Sequence, residues 1–323
     1  MAIDLMALEP QHISRDLRGK FMLLYGPAGV GKTTLASQFD DVLVAAFERG
    51  TNALNNVYVQ PVKTWQDWKQ MVSQLCKKPE LKTKFVTVAI DTVDEAWALC
   101  EKKICADNGI DTLGELGWGL GWRLAKQEFA STFRELAYSG YGLVFISHSV
   151  DKEEENDNGE KHNKIMPALP ATPFGVINKM VDLIGYIREI NIGTAENPQR
   201  ERFVFFRDEK GDRYLVKSRY KYIKPRIKLD YDEFVNTIYE AIDAEVEHSG
   251  GSAVDTNPQI EKSFDELMED ARILWTTLVN KKLTDKASAI LEKEFGKPIK
   301  FSEILPEQIE QLNHVLVEIQ SII

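Results

Sequence analysis

Phe21-Met22-Leu23-Leu24-Tyr25-Gly26-Pro27-Ala28-Gly29-Val30-Gly31-Lys32-Thr33-Thr34 is the stretch from which the rest of the chain is read. Residues 21–25 have the composition of a short buried strand, and residues 33–39 continue with helical character. Between them runs the pattern Gly-x-x-x-x-Gly-Lys-Thr, from Gly26 to Thr33. A loop held between a strand end and a helix start turns its backbone N–H groups, and the positive end of the helix dipole, toward a phosphate chain. The glycines let the backbone approach without a Cβ in the way. Residues Gly26, Pro27, Ala28, Gly29, Val30, Gly31, Lys32, Thr33 and Thr34 are therefore the expected nucleotide-binding loop. Lys32 is placed to reach the β- and γ-phosphates, and the Thr33 hydroxyl to ligate magnesium. ATP and Mg2+ are the implied ligands.

Outward from the loop, short apolar runs recur at 42–47, 85–90, 142–147 and 181–190, with helix-like segments between them. That alternation predicts an α/β fold with a mostly parallel sheet. Thr64 is a candidate N-cap for a helix over 65–75, and 93–107 has the length of a sheet-covering helix. Residues 202–207 and 213–220, joined by Asp208-Glu209-Lys210-Gly211-Asp212, read as a hairpin extending the sheet antiparallel at one edge. A helix near 231–247 closes this core. Residues 248–259 are small and polar and read as a flexible linker. Beyond them, candidate helices at 260–281, 285–295 and 306–322 form a small C-terminal helical domain, with Pro306 suited to a first turn. The expected division is 1–247, 248–259 and 260–323.

Composition narrows the function. The chain has 323 residues and a formal net charge of -10. Such a balance argues against coating duplex DNA by bulk electrostatics, though local patches can still bind nucleic acid. Three cysteines, Cys76, Cys100 and Cys105, lack metal or disulfide spacing and are expected to be core thiols in a reducing compartment. No apolar run approaches the length of a bilayer span, so a cytoplasmic protein without membrane association is expected.

Candidate catalytic residues lie at the ends of the other apolar runs. Asp91 ends 85–90 and is placed to hold the magnesium through water. Thr92 follows it, so the adjacent Asp-Glu pair of many ATPases is missing. Glu48, at the end of 42–47, is the alternative carboxylate for activating water. His148 ends 142–147, and Lys217-Ser218-Arg219 ends a late strand candidate.

These positions resemble the RecA/KaiC-like ATPases. There, a glutamate after the second strand activates water, a polar residue at His148's position senses the γ-phosphate, and a Lys-x-Arg pair acts on the neighbouring subunit's site. The resemblance implies a RecA-like core, catalytic roles for Glu48, Lys32, His148, Lys217 and Arg219, and a homo-oligomer. Closer still, Leu24 to Ala36, the Asp91 strand, Gly142 to His148 and Val216 to Tyr220 are similar to the Sak-type recombination ATPases of phages. That likeness spans about residues 10–245 and implies ATP-dependent single-strand annealing, recombination, repair or replication. A helicase or helicase loader of the same fold, and an ATP-gated protein-interaction switch without DNA binding, are the alternatives.

In RecA-like proteins two DNA-contacting loops follow the Asp91-type and sensor strands. The first corresponds to Gly114-Glu115-Leu116-Gly117-Trp118-Gly119-Leu120-Gly121-Trp122-Arg123, where Trp118 and Trp122 could stack on bases or pack the following helix. The second, residues 151–164, holds six acids against three lysines, the wrong sign for phosphates, with Asp157-Asn158-Gly159 suggesting a hairpin tip. Residues 207–228 hold nine Lys/Arg against three Asp/Glu, with tyrosines interleaved. Arg123, Lys221, Tyr222, Lys224 and Arg226 are thus further candidates for single-stranded DNA contact. The C-terminal domain resembles tails of phage annealing proteins, which implies docking to a single-strand-binding protein or an exonuclease; a stabilising cap is the alternative.

Overall fold

The computed structural model describes residues 13–155, 161–194, 197–208, 211, 213–250, 253–254, 264–281 and 283–320. In chain order the elements are β1 (Phe21–Gly26), α1 (Lys32–Ala36), β2 (Val42–Ala46), β3 (Tyr58–Pro61), α2 (Trp65–Lys77), β4 (Thr87–Asp91), α3 (Val93–Asn108), α4 (Leu120–Ala137), β5 (Gly142–Glu155), β6 (Lys161–Pro167), α5 (Ala171–Met180), β7 (Leu183–Asn191), β8 (Arg200–Phe205), β9 (Lys217–Ser218), β10 (Arg226–Lys228), α6 (Tyr231–Ser249), α7 (Phe264–Lys281), α8 (Thr284–Phe295) and α9 (Ile309–Gln320). They form two compact units, Met1–Lys78 with Lys84–Ile260, and Glu261–Ile323 with Pro79–Thr83.

The larger unit is built on one sheet with strand order β10-β8-β7-β1-β5-β4-β2-β3, with β6 added to β5 and β9 to β7. Strands β1 to β5 and β7 run parallel in it, and β8, β9, β10 and β6 are antiparallel additions. This is the RecA-like arrangement, with β5 inserted between the phosphate-loop strand and the Asp91 strand. The chain leaves β1 through α1 toward β2 on one side, while β7 lies on the other. A crevice therefore opens above the C-terminal end of β1, where ligands bind in open α/β sheets.

The central strands are apolar throughout because both sheet faces are covered. On one face Leu35 and Phe39 meet Phe206, Phe234 and Ile238 across the sheet core of Met22, Leu24, Val44 and Val204. On the other, an aromatic layer joins the helices: Trp65 stacks on Phe129 at 5.9 Å, and Phe133 meets Phe145 edge-on at 5.5 Å. Burying each such side chain contributes roughly 1.5–3 kcal/mol. Thr64 caps α2 as expected: its hydroxyl accepts from Asp67 N at 3.1 Å, and Asp67 accepts from Thr64 N at 2.9 Å.

Several expectations need correction. Segments 202–207 and 213–220 do not pair with each other. Strand β8 forms its hairpin with β7, β10 covers β8 at the edge, and β9 pairs with the start of β7. Asp208 explains the departure, because its carboxylate accepts from the backbone N–H of Arg213 and Tyr214 and turns the chain away. Leu215 N then donates to Ile165 O at 2.9 Å, beside β6. Strand β5 runs past residue 147 to Glu155 as one arm of a ribbon with β6. The candidate turn Asp157-Asn158-Gly159 lies outside the described residues. Of the three cysteines only Cys100 is buried; Cys76 and Cys105 are partly exposed. Within residues 248–259, α6 continues to Ser249, and Val254 N donates to Ile13 O at 3.0 Å. Residues 251–252 and 255–259 lie outside the described set.

The smaller unit has its own apolar core, including Leu267, Leu278, Leu291, Leu312 and Ile319. Its helices match expectation to within a few residues, except that Pro306–Gln308 forms a 3-10 turn before α9. Among the described residues no helix is long and apolar enough to cross a membrane.

Candidate nucleotide-binding site

Register places the candidate residues together. Gly26 lies opposite His148, Asp91 opposite both Ala46 and Ile146, so the ends of β1, β2 and β4 gather beside the middle of β5. Phe47 N donates to Asp91 O at 2.7 Å, and the Phe47 ring meets Trp68 edge-on at 5.5 Å. Those two contacts fix the exit from β2 and bring Glu48 to the crevice.

Lys32 is buried, and its ammonium donates to Gly26 O at 3.0 Å and Pro27 O at 2.8 Å. Burial lowers its pKa, opposed by the carboxylates of Asp91, Glu48 and Asp94. The loop itself depends on glycine at two positions. A Cβ on Gly26 would stand 2.2 Å from Ile187 O, and Gly31 has φ 107°, a left-handed conformation few side chains adopt.

The Thr33 hydroxyl donates to Asp91 Oδ2 at 2.8 Å. Asp91 is 2% exposed, and its Oδ1 has no hydrogen-bond partner. Burial raises this carboxyl above the ordinary range; the Thr33 hydrogen bond opposes the rise and Glu48 adds to it. An orphaned, desolvated carboxylate oxygen beside a hydroxyl is what a magnesium site requires, since Mg2+ takes one or two protein oxygens and fills its octahedron with phosphate and water. Thr33 and Asp91 therefore fit the ion and would hold it against the phosphates.

On the strands that flank β4, His148 Nε2 and Glu48 Oε2 are 3.2 Å apart, with the imidazole N–H donating to the carboxylate. His148 N donates to Asp94 Oδ2 at 3.4 Å, which ties β5 to the first turn of α3. Asp94 is a site residue that strand-end reasoning missed, although its place three residues after Asp91 was a usable signal. Burial raises its carboxyl, against hydrogen bonds from Ser147 and His148.

Arg202 was also missed. Its Nη1 ends 3.5 Å from where a Cβ on Gly31 would stand, with Leu229 Cδ2 at 2.8 Å from the same point. Its guanidinium has no partner among the described residues and lies on the sheet face that carries α1. It can add charge-assisted hydrogen bonds to phosphate oxygens.

Lys217 and Arg219 lie elsewhere. Strand β9 pairs with Leu183 and Ile184, at the end of the sheet opposite the phosphate loop. The Lys217 ammonium donates to the carbonyls of Asn178 and Val181, closing the C-terminus of α5. Arg219 pairs with Asp182 at 2.8 Å and donates to Lys179 O at 3.1 Å. Within one chain they are not brought to Lys32.

The candidate DNA residues divide into two groups. Trp118 is fully exposed at φ 59°, Trp122 is 43% exposed and Arg123 is exposed. Residues of the 207–228 stretch are largely engaged: Lys221 lies over the Tyr222 ring, which itself stacks on His248, Lys224 pairs with Glu240 at 2.7 Å, and Arg226 covers Phe203.

A strand-loop-helix cradle with a hydroxyl and a buried carboxylate beside it defines a P-loop nucleotide-binding protein. A family model described as an AAA domain matches residues 18–220, and the chain belongs to that AAA-domain family. The chain is similar to the SPbeta prophage-derived uncharacterized protein YorG of Bacillus subtilis (strain 168). The two are 22% identical over 333 residues, covering 100% of this chain and 99% of that protein. Among solved structures it is similar to the flagellar accessory protein FlaH from Methanocaldococcus jannaschii. That likeness has 10% identity and a TM-score of 0.33, and covers 58% of this chain and 77% of that chain.

Proposed function

We propose that this chain is a magnesium-dependent ATPase of the Sak-type phage group, acting in DNA recombination, single-strand annealing, repair or replication. The observation that carries hydrolysis is the Glu48–His148 pair, held at 3.2 Å on the strands that flank β4 and its Thr33–Asp91 pair. Glu48 orients and deprotonates the attacking water, while His148 holds that carboxylate and registers the γ-phosphate midway along β5. Lys32 and the loop amides stabilise charge on the phosphates, and magnesium held by Thr33 and Asp91 would supply further charge neutralisation there. Full-length likeness to a prophage-derived protein favours the phage setting.

The working unit is a homo-oligomer. Lys217 and Arg219 sit at the sheet end away from their own phosphate loop, where a head-to-tail neighbour can present its site. To act there they exchange the α5 carbonyls and Asp182 for the neighbour's phosphates. The smaller C-terminal unit is read as the docking module for a single-strand-binding protein or exonuclease.

The test is ATP turnover with and without single-stranded DNA, read with the mass of the assembly. Turnover that depends on Mg2+ and rises with DNA is expected. Absence of turnover under every condition would overturn the ATPase reading.

A further inference from the structure

Outside the nucleotide site, the described surface holds a groove of about 560 Å³ between α4 and α5, at the end of the sheet where β1 begins. Lys126 and Arg134 line it from α4, Tyr138 from that helix's C-cap, and Gly175 and Lys179 from α5. Lys126, Ala130, Arg134 and Tyr138 recur at four-residue spacing and so form one continuous stripe.

The electrostatics are one-sided. Every charged residue lining the groove is a cation, in a chain whose net charge is -10. None of the three cationic side chains has a partner among the described residues. The acids of α4, Glu128 and Glu135, do not line the groove, and Glu128 is committed on the α2 side to Lys69 at 2.8 Å. At the α5 end Asp182 is paired with Arg219 within the single chain.

Aromatic side chains stand at both ends of the same helix. Tyr138 is 87% exposed at its C-terminal end. At the other end Trp118 is 108% exposed, on a left-handed backbone that bulky residues rarely adopt. Trp122 is 43% exposed in the first turn of the helix. From Trp122 to Tyr138 the helix runs about 24 Å. Uncompensated cations between exposed rings match a flexible polyanion with stackable faces, and a rigid duplex would offer phosphates but no free bases.

We propose that the α4–α5 groove binds single-stranded nucleic acid, with Lys126, Arg134 and Lys179 on phosphates and Tyr138 stacking on a base. The inference rests on the reading that this chain acts on DNA, and it gives that reading a surface. It also moves the contact away from residues 221–226, whose charges and rings are already engaged within the chain.

The experiment measures binding of a fluorescent oligothymidylate to the full chain by anisotropy over a salt series, with a matched duplex alongside. The triple variant Lys126→Glu/Arg134→Glu/Lys179→Glu is expected to bind at least about tenfold more weakly, with the log–log salt slope reduced by about 2 for three lost phosphate contacts at about 0.7 each. Tyr138→Ala is expected to weaken binding without changing that slope. All four side chains are exposed, so an unchanged melting temperature, measured in parallel, verifies that the variants fold. If the unaltered chain binds and the triple variant binds equally with the same slope, the groove is overturned while the DNA reading stands. If the unaltered chain binds no oligonucleotide at low salt, the DNA reading falls and the groove with it.

Discussion

At the scale of single residues, Asp91 carries the strongest physical signature in the site. Its carboxylate is buried with one oxygen unpartnered, and an unsatisfied buried polar atom costs about 1–3 kcal/mol. Because burial raises its pKa, the protonated form favours folding. That contribution is complete below the unfolded value and is lost as pH rises through the raised folded value. Ligand-free protein should therefore lose stability as pH climbs from the acid side, in the part owed to Asp91 and Asp94. Asp91→Asn should raise the neutral-pH melting temperature of ligand-free protein by a few degrees and flatten that slope, while abolishing magnesium-dependent ATP binding. An unchanged melting profile would remove the account of Asp91 as a charge stored for a cation. Arg202 gives a second test at this scale. A lost charged hydrogen bond costs about 1.5–3 kcal/mol, so Arg202→Ala should weaken ATP binding tenfold or more by titration calorimetry. Lys228→Ala, whose side chain is already paired with Glu201 on the same edge, is the control and should not.

At the scale of elements, function depends on strand ends reaching the same level. Gly26, Glu48, Asp91 and His148 come from four strands, and the one that joins them is β5, which pairs with both β1 and β4. Displacing the Glu48 carboxylate should harm the chemical step more than binding. Glu48→Gln is expected to lower kcat by about 10²- to 10⁴-fold with KM for ATP within a few-fold, as loss of a general base does. Measured steady-state kinetics with an equal fall in kcat/KM and a large rise in KM would instead make Glu48 a binding residue. These strand-end residues were legible because each follows its own apolar run, so local sequence carries both the strand and the site. Arg202 was not, because its approach to Gly31 depends on β8 folding back along β7, which no local pattern specifies. The same blindness misplaced the edge hairpin: 202–207 and 213–220 both read as strands, but Asp208 redirects the chain between them. Strand β3 was missed for the opposite reason, since Tyr58–Pro61 is mostly exposed and ends in proline, as an edge strand can. Nor did sequence reveal that β5 outruns its apolar core, because its second half is charged and held by ribbon pairing and by ion pairs such as Lys161–Glu153.

At the scale of the whole molecule, the open question is whether one chain completes its own site. Sheet polarity separates two sets of charges: Lys32, Glu48, Asp91 and His148 at the C-terminal ends of the parallel strands, Lys217 and Arg219 at the other end. A side chain cannot cross the sheet, so any part Lys217 and Arg219 play in hydrolysis must be played on another copy. Both also hold the C-terminus of α5, with Lys217 on two carbonyls and Arg219 on Asp182 and Lys179 O. Single substitutions therefore confound a structural loss with a catalytic one, and complementation separates them. Glu48→Gln chains retain good Lys217 and Arg219; Lys217→Ala/Arg219→Ala chains retain a good Glu48. If sites form between neighbours, random mixing at equal amounts leaves about a quarter of the interfaces with both halves intact, because heterologous contacts pair one face of each copy with the other face of the next. Turnover in the mixture should rise toward about a quarter of the unaltered rate, from two preparations that are each nearly inactive, and should fall on dilution below the assembly concentration. A mixture no faster than the sum of its parts at any ratio, with the double variant as well folded by melting as the unaltered chain, would leave Lys217 and Arg219 as the cap of α5 and the site complete within one subunit.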